Sequence, residues 1–299
     1  MIKRSILALS LVGLWSVAFS QESDGQINPN SLQRIPKYEQ LYKVKVWRVV
    51  DLKEKQNKGF FAKGNEITKL IIDAVASGEL ADVYENDSLT SKMDKQKFND
   101  NMVAQQANPN ILPWDPAKDF YQGDQVSFKG RNYEAQVDSK GKAPDVSTSE
   151  WTVTTAGQAV RFLPSEIYRM TLVEDVIFDK RRSRLYYDIL SVELFAFDLN
   201  TNVYRPLGTF KYRDLEKLFR NHPDDAVWFN RQNTAENKNY ADAFLLRLFH
   251  GVIEKVENPD DDKIEDIYTA NNRPYRESVW AREWEEMKLM EREHNLWEY

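Results

Sequence analysis

The chain contains no cysteine. That one absence excludes disulfides, thiolate metal sites, a Cys nucleophile and acylation at a lipobox Cys. Histidine is scarce: His222, His250 and His294 are far apart and form no H-x-x-x-H pair. Neither a G-x-S-x-G elbow nor a G-x-x-x-x-G-K-[ST] loop occurs. Carboxylates are plentiful, yet no spacing marks two of them as an acid/base pair. Asp260, Asp261 and Asp262 could attract calcium, but the run lacks the Gly turn and closing Glu of a calcium loop and reads as solvated. No catalytic residue, cofactor site or metal site is implied. Excess positive charge is missing too: 41 Lys and Arg face 47 Asp and Glu, a net charge of −6. Such a chain is a poor binder of a phosphate backbone, so nucleic acid is not an expected partner. Beyond the N-terminus, no apolar run is long enough to span a bilayer.

What is present is a globular composition, 41% apolar and 12% aromatic, over 299 residues. That suffices for one large or two ordinary domains with real cores. The first twenty residues read as a signal peptide. Lys3 and Arg4 form a basic start, Ser5 to Phe19 a short apolar stretch, and Ala18-Phe19-Ser20 a small-x-small cleavage site that leaves Gln21 as the mature N-terminus. Losing Lys3 and Arg4 leaves 39 basic against 47 acidic side chains, a net charge of −8. The mature protein is expected beyond the inner membrane, soluble or peripheral.

The most patterned stretch runs from Arg161 to Phe219. Two β-rich runs, Ile167–Phe178 and Leu185–Phe197, flank the charged connection Asp179–Arg184 and predict a β-hairpin. In the second run Tyr186, Leu190, Val192, Leu194 and Ala196 share one parity and should line a buried face, with Asp188 the exception. A polar loop and a helix follow, its stripe made of Tyr212, Leu215, Leu218 and Phe219. Upstream, residues 21–40 read as a flexible or extended arm. Tyr42–Leu52 alternates as a strand. Asn65 is placed to cap a helix whose stripe is Ile67, Leu70, Ile71, Ala74 and Val75 and which stops at Gly78. Ala81–Tyr84 reads as a short apolar strand, and Lys95–Asn110 as a helical connector. The order strand, loop, helix, short apolar piece recurs later in Val192–Leu199, Tyr212–Phe219 and Ala226–Phe229, the pattern of an internal duplication. Tyr240–Val256 reads as an apolar helix. A last helix, capped at Ser278, carries a narrow Trp280, Trp284, Met287 stripe among many charges. Such a stripe docks, either on the protein's own core or on a neighbouring subunit. The fold class is α+β: strand-loop-helix units around a β-hairpin core, with a small all-β insert.

The insert is Ile111–Thr155. Gln125–Phe128 and Tyr133–Val137 read as strands around the turn Lys129-Gly130-Arg131-Asn132. So small a unit must draw its core from aromatics. Its Trp114, Gly123-Asp124-x-Val126 and Gly130-x-x-Tyr133-x-Ala135 resemble the small carbohydrate-binding modules attached to bacterial chitinases. Those modules stack exposed aromatics on sugar rings. By that likeness Tyr121, Tyr133 and Trp151 are candidate contacts to a polysaccharide, chitin or cellulose. Where such modules commonly carry Trp after the Tyr-x-Ala strand, this chain has Gln136-Val137.

Three further motifs stand in order on either side of the insert: Val46-Trp47-Arg48-Val49-Val50-Asp51-Leu52-Lys53-Glu54, the Ile67–Val75 helix followed by Ser77-Gly78-Glu79 and Asp82-Val83-Tyr84, and Phe178-Asp179-Lys180-Arg181-x-Ser183-x-Leu185-x-Tyr187. Together they resemble the GldN/PorN family of the type IX secretion system of Bacteroidetes. The resemblance divides the mature chain into a family-like part at 41–110, the insert at 111–155 and a second family-like part at 156–299. It implies a periplasmic, non-enzymatic subunit. That subunit would self-associate in a ring with an outer-membrane lipoprotein of the GldK/PorK type and couple to a GldM/PorM-type motor component. Candidate interaction residues are Phe178, Asp179, Lys180 and Arg181 at the hairpin tip, and Trp280, Trp284 and Met287 on the last helix. The rival readings are an exported polysaccharide-binding protein acting through the insert and an enzyme on wall polymers, which would need carboxylates converging in a cleft.

Overall fold

A computed structural model describes residues 27–105, 111–129, 131–154, 160–198, 202–270 and 272–297. The signal peptide expected at 1–20 and the cleavage expected at Ser20–Gln21 fall outside the described residues, as does Gly130 of the insert's turn. The architecture is α+β around one antiparallel sheet. Its strands are β1 (Gln40–Asp51), β2 (Val83–Tyr84), β3 (Lys92–Met93), β4 (Arg169–Asp179), β5 (Arg184–Asp198), β6 (Val203–Lys211) and β7 (Val252–Val256). They lie in the order β7-β1-β4-β5-β6-β2-β3. The β4–β5 hairpin stands at the middle, as its long runs rich in β-branched and aromatic residues predict. Asp179 and Arg184 close it over a tight turn.

One bulge decides which side chains face inward. Pairing shifts between Val173 and Glu174, so Ser191 lies opposite the first and Ile189 opposite the second, and Leu190 is the extra residue. The single parity expected along β5 therefore fails at Leu190. Leu185, Tyr187 and Ile189 share a face with Val192 and Leu194, while Tyr186 and Asp188 turn to the other. On β1 that same inner face carries Tyr42, Val44, Val46, Arg48 and Val50, and on β4 it carries Met170, Leu172, Glu174, Val176 and Phe178.

Helices cover this face in two groups. At one end α1 (Ile67–Ser77), α3 (Tyr212–Asn221) and α4 (Tyr240–Leu245) bring Ile71, Leu215, Phe219 and Phe244 onto Val50, Met170, Leu172 and Leu194. α2 (Lys95–Asn101) adds Phe98 to the same cluster. At the other end α5 (Ile264–Ala270) and α6 (Tyr275–Trp297) bring Ile264 and Leu289 onto Val46, Val176, Phe178 and Ile253. Each such side chain taken out of water contributes roughly 1.5–3 kcal/mol. The stripes expected on α1 and α3 are the faces that turn inward. Gly78 ends α1 in the left-handed conformation, φ 87°. Asn65 is not the cap: it pairs with Ala62 in a short ladder, and Glu66 precedes the helix without a side-chain capping bond.

Several expectations are corrected. Val203–Lys211 is a full strand and not a polar loop. Tyr240–Val256 is a six-residue helix, a turn and then β7, not one helix. The connector helix stops at Asn101, and Val103–Gln105 is a strand. Ser278 lies inside α6, where its hydroxyl donates to the Tyr275 carbonyl at 2.7 Å. The two halves do not repeat: Val83–Tyr84 joins the main sheet, whereas Val227–Trp228 pairs with Lys238–Asn239 outside it. Part of the N-terminal arm is bound. Leu32 and Gln33 N–H groups donate to Asp188 Oδ1 at 3.2 and 3.4 Å on the outer face of the sheet, and Ile35 is buried.

Residues 111–154 form their own small sheet, with Trp151–Thr154, Arg131–Ala135, Gln125–Phe128 and Leu112–Pro113 side by side. Phe120, Val126, Tyr133, Ala135 and Trp151 make its core, separate from the two clusters of the main sheet. Where the chain leaves and re-enters the larger fold, Val103–Gln105 pairs antiparallel with Val160–Arg161.

Candidate functional site

Between the two apolar clusters the inner face carries charge. Arg48 and Glu174 occupy positions that alternation assigns to the core, and both are buried. Arg48 Nε donates to Glu174 Oε2 at 3.0 Å. Arg247 Nη1 donates to Glu174 Oε1 at 2.7 Å. From the C-terminal helix, Glu286 accepts from Arg48 Nη1 at 2.7 Å and from Nη2 at 3.2 Å. The Gly251 carbonyl takes a further Nη1 bond at 2.9 Å. Burial by itself would raise the Glu174 carboxyl, but the guanidiniums of Arg247 and Arg48 outweigh it and hold the group below its ordinary value. Burial alone would lower Arg48, but the Glu174 and Glu286 carboxylates push it upward.

Local structure makes this possible. Arg247 sits at φ 52°, the left-handed position that ends α4. The Leu248 N–H closes back on the Ala243 carbonyl at 2.8 Å, a Schellman ending at a place where glycine is usual. The Arg247 guanidinium then lies 4.4 Å from the centre of the Tyr187 ring. Gly251 lets β7 approach β1, since a Cβ there would stand 2.8 Å from Val50 Cγ2 and 2.9 Å from the Val49 carbonyl oxygen. The network clamps α6 to the sheet beside a cleft of about 370 Å³ lined by Arg48, Arg247, His250, Arg282 and Glu286. Glu174 and Glu286 are both held by arginine, so the network is suited to holding elements together. Among the described residues no three His, Cys, Asp or Glu side chains are grouped to hold a metal ion. No described helix is long and apolar enough to cross a membrane.

α6 has a second face. Ser278 and Leu289 are buried against the sheet side. Trp280, Trp284 and Met287 stand opposite, 55%, 53% and 53% exposed. The stripe therefore does not serve the protein's own core. At the hairpin tip the candidates divide. Phe178 is buried in the second cluster, and Asp179 is buried as the turn's own clasp, accepting from the Arg181 N–H at 2.8 Å and from Arg182 Nη1 at 2.7 Å. Neither is available to a partner. Lys180 and Arg181 are exposed.

The family described as "Gliding motility associated protein GldN" matches the chain over residues 35–298. The chain belongs to the GldN family. GldN-family membership makes it a component of gliding motility and type IX protein secretion. No curated protein matches the chain.

Within this GldN-family chain, the motifs on which the resemblance rested fall on β1, α1 and the β4–β5 turn. They thus carry the sheet, its covering helix and the buried charge Arg48. The GldN match runs across the insert, and the likeness of residues 111–154 to a chitinase-type module finds no support. Of the three sugar-contact candidates, Tyr133 and Trp151 are 6% and 2% exposed and form the insert's core, closed to a sugar ring. Tyr121 alone is exposed, at 65%. Sequence reasoning passed over Arg48, Glu174, Arg247 and Glu286. The available signal was parity: Arg48 interrupts Val46 and Val50, and Glu174 interrupts Leu172 and Val176, as charges in apolar rows.

Proposed function

We propose that this chain is a non-enzymatic structural subunit of the type IX secretion and gliding machinery. It acts in the periplasm after cleavage near Ser20–Gln21 and is held peripherally at the outer membrane. Copies associate in a ring with an outer-membrane lipoprotein of the GldK/PorK type, and the assembly couples to a GldM/PorM-type motor component. The GldN match over residues 35–298 carries this reading. Two features of the chain agree with it. Arg48 and Glu174, buried on the inner face, are engaged in fastening elements together. Its last helix turns two tryptophans and a methionine outward, side chains of the kind that anchor protein interfaces. The reading requires no cofactor.

Affinity purification of the protein from gently solubilised envelopes, with mass spectrometry and particle size recorded together, tests it. The expected result is a large assembly containing an outer-membrane lipoprotein. A lone monomer without lipoprotein, from cells whose cargo secretion and spreading survive deletion of the gene, would overturn it.

A further inference from the structure

On α6 the outward face is more than an apolar stripe. At 100° per residue, Arg276, Trp280, Trp284, Met287 and Glu291 fall within about 80° of one another, and Ser278 and Leu289 lie on the far side. All five are exposed. Arg276 rests on the Trp280 ring, 4.8 Å from its centre, and closes the N-terminal end of the stripe. Glu291 closes the other end. Neither forms an ion pair among the described residues. Those five run cation, tryptophan, tryptophan, methionine, anion, with the exposed Glu283 about 20° outside them and the exposed His294 about one turn past Glu291.

This order is self-complementary in one direction only. Arg276 and Glu291 stand equally far on either side of the point between Glu283 and Trp284, and so do Trp280 and Met287. Turned through a two-fold axis at that point, the stripe places Arg276 against Glu291 twice, Trp280 against Met287 twice, and Trp284 beside its own copy. A parallel pairing would oppose like charges at both ends. A two-fold contact uses the same patch on both partners and asks for this kind of pattern. We infer that the outer face of α6 pairs antiparallel with the same face of a second copy of this chain. The inference rests on the reading of the chain as an assembly subunit and names the surface through which two copies meet.

Sedimentation equilibrium of the exported full-length protein over a range of concentrations reads the pairing. The native chain is expected to reach the mass of a dimer. Arg276→Glu and Glu291→Arg each replace two attractive contacts by two repulsive ones, so each is expected to weaken the dimer by about tenfold or more. The double variant R276E/E291R restores the pattern with its sign reversed and is expected to recover the native affinity to within about threefold. These side chains are exposed, and unchanged melting of each variant verifies that folding is intact. A native chain that stays monomeric would overturn the inference. So would single variants that still pair, or a double variant no tighter than either single one. If the envelope purification still yields the large assembly while the chain sediments as a monomer, only the pairing fails. A persistent dimer with no assembly sinks the assembly reading and leaves the pairing.

Discussion

At the scale of single residues, two buried acids, Glu174 and Asp188, have opposite dependence on pH. Glu174 is buried between Arg48 and Arg247 and held below its ordinary 4.5. A carboxylate lowered in the folded state adds stability above its unfolded value, and that stability is lost as pH falls through the folded one. Arg48→Ala would leave Glu174 and Glu286 short of a partner. We expect it to cost about 3–5 kcal/mol in urea unfolding at neutral pH and to move the acid-unfolding midpoint to higher pH. Asp188 is the other. It lies opposite Asp175 across the hairpin, and burial, opposed by its bonds to Ser31, Gln33 and Leu32 and aided by Asp175, pushes it up from 3.8 to about 6. Among the described residues, Asp188 Oδ2 and Asp175 Oδ1 are both buried without a hydrogen-bond partner. Here the folded state prefers the proton, so the contribution is full below the unfolded value and disappears as pH rises through about 6. Asp188→Asn keeps the acceptor for Leu32 and Gln33 and supplies a donor toward Asp175. It is expected to raise stability by roughly 1–3 kcal/mol at pH 7, with the gain vanishing near pH 3.5. Thermal unfolding across that range that showed no gain at pH 7, or one independent of pH, would refute this account.

At the scale of elements, glycine marks where strands had to come close. Gly251→Ala would push a methyl into Val50, the Arg48 side chain and the Val49 carbonyl. Because one of these is backbone, β7 must shift. A loss of about 2–4 kcal/mol is expected, with faster proteolysis of the C-terminal helices that β7 helps to seat. How far the elements were legible follows from the range of the forces behind them. The hairpin and the stripes of α1 and α3 are local patterns and form where the sequence puts them, but the bulge at Leu190 reverses the facing of the first half of β5. β6 was hidden because Pro206 and Gly208 read as loop residues. Both flank a bulge against β5, and Gly208 clears room for Val83 and Phe98. Tyr240–Val256 mimicked a helix because Phe244, Leu245, Leu248, Phe249 and Val252 have helical spacing. What breaks it is Arg247 in the left-handed region, engaged with a glutamate 73 positions away in the chain. A window of local sequence does not contain that partner. The Trp280 stripe was visible as amphipathic; which way it faced depended on Leu289 and the sheet.

At the scale of the whole molecule, the separate cores predict separate fates. Trp151 packs edge-on against Phe120 at 5.4 Å and is the largest side chain of the insert's small core. Trp151→Ala removes about 3–5 kcal/mol, more than so small a unit holds in reserve. Protease cuts between residues 111 and 154 should follow, while calorimetry of the main transition shifts by no more than about 2 °C. A main transition that fell with the insert would show the two cores to be one cooperative unit. The short ladder of Val103–Gln105 with Val160–Arg161 has a practical consequence of another sort. Paired strands bring exit and return points to within about 5 Å of each other. Any compact cargo whose own ends lie side by side can be spliced there in place of residues 111–154. A fluorescent protein seated at that junction would report where the protein goes from inside the chain, leaving both termini untagged.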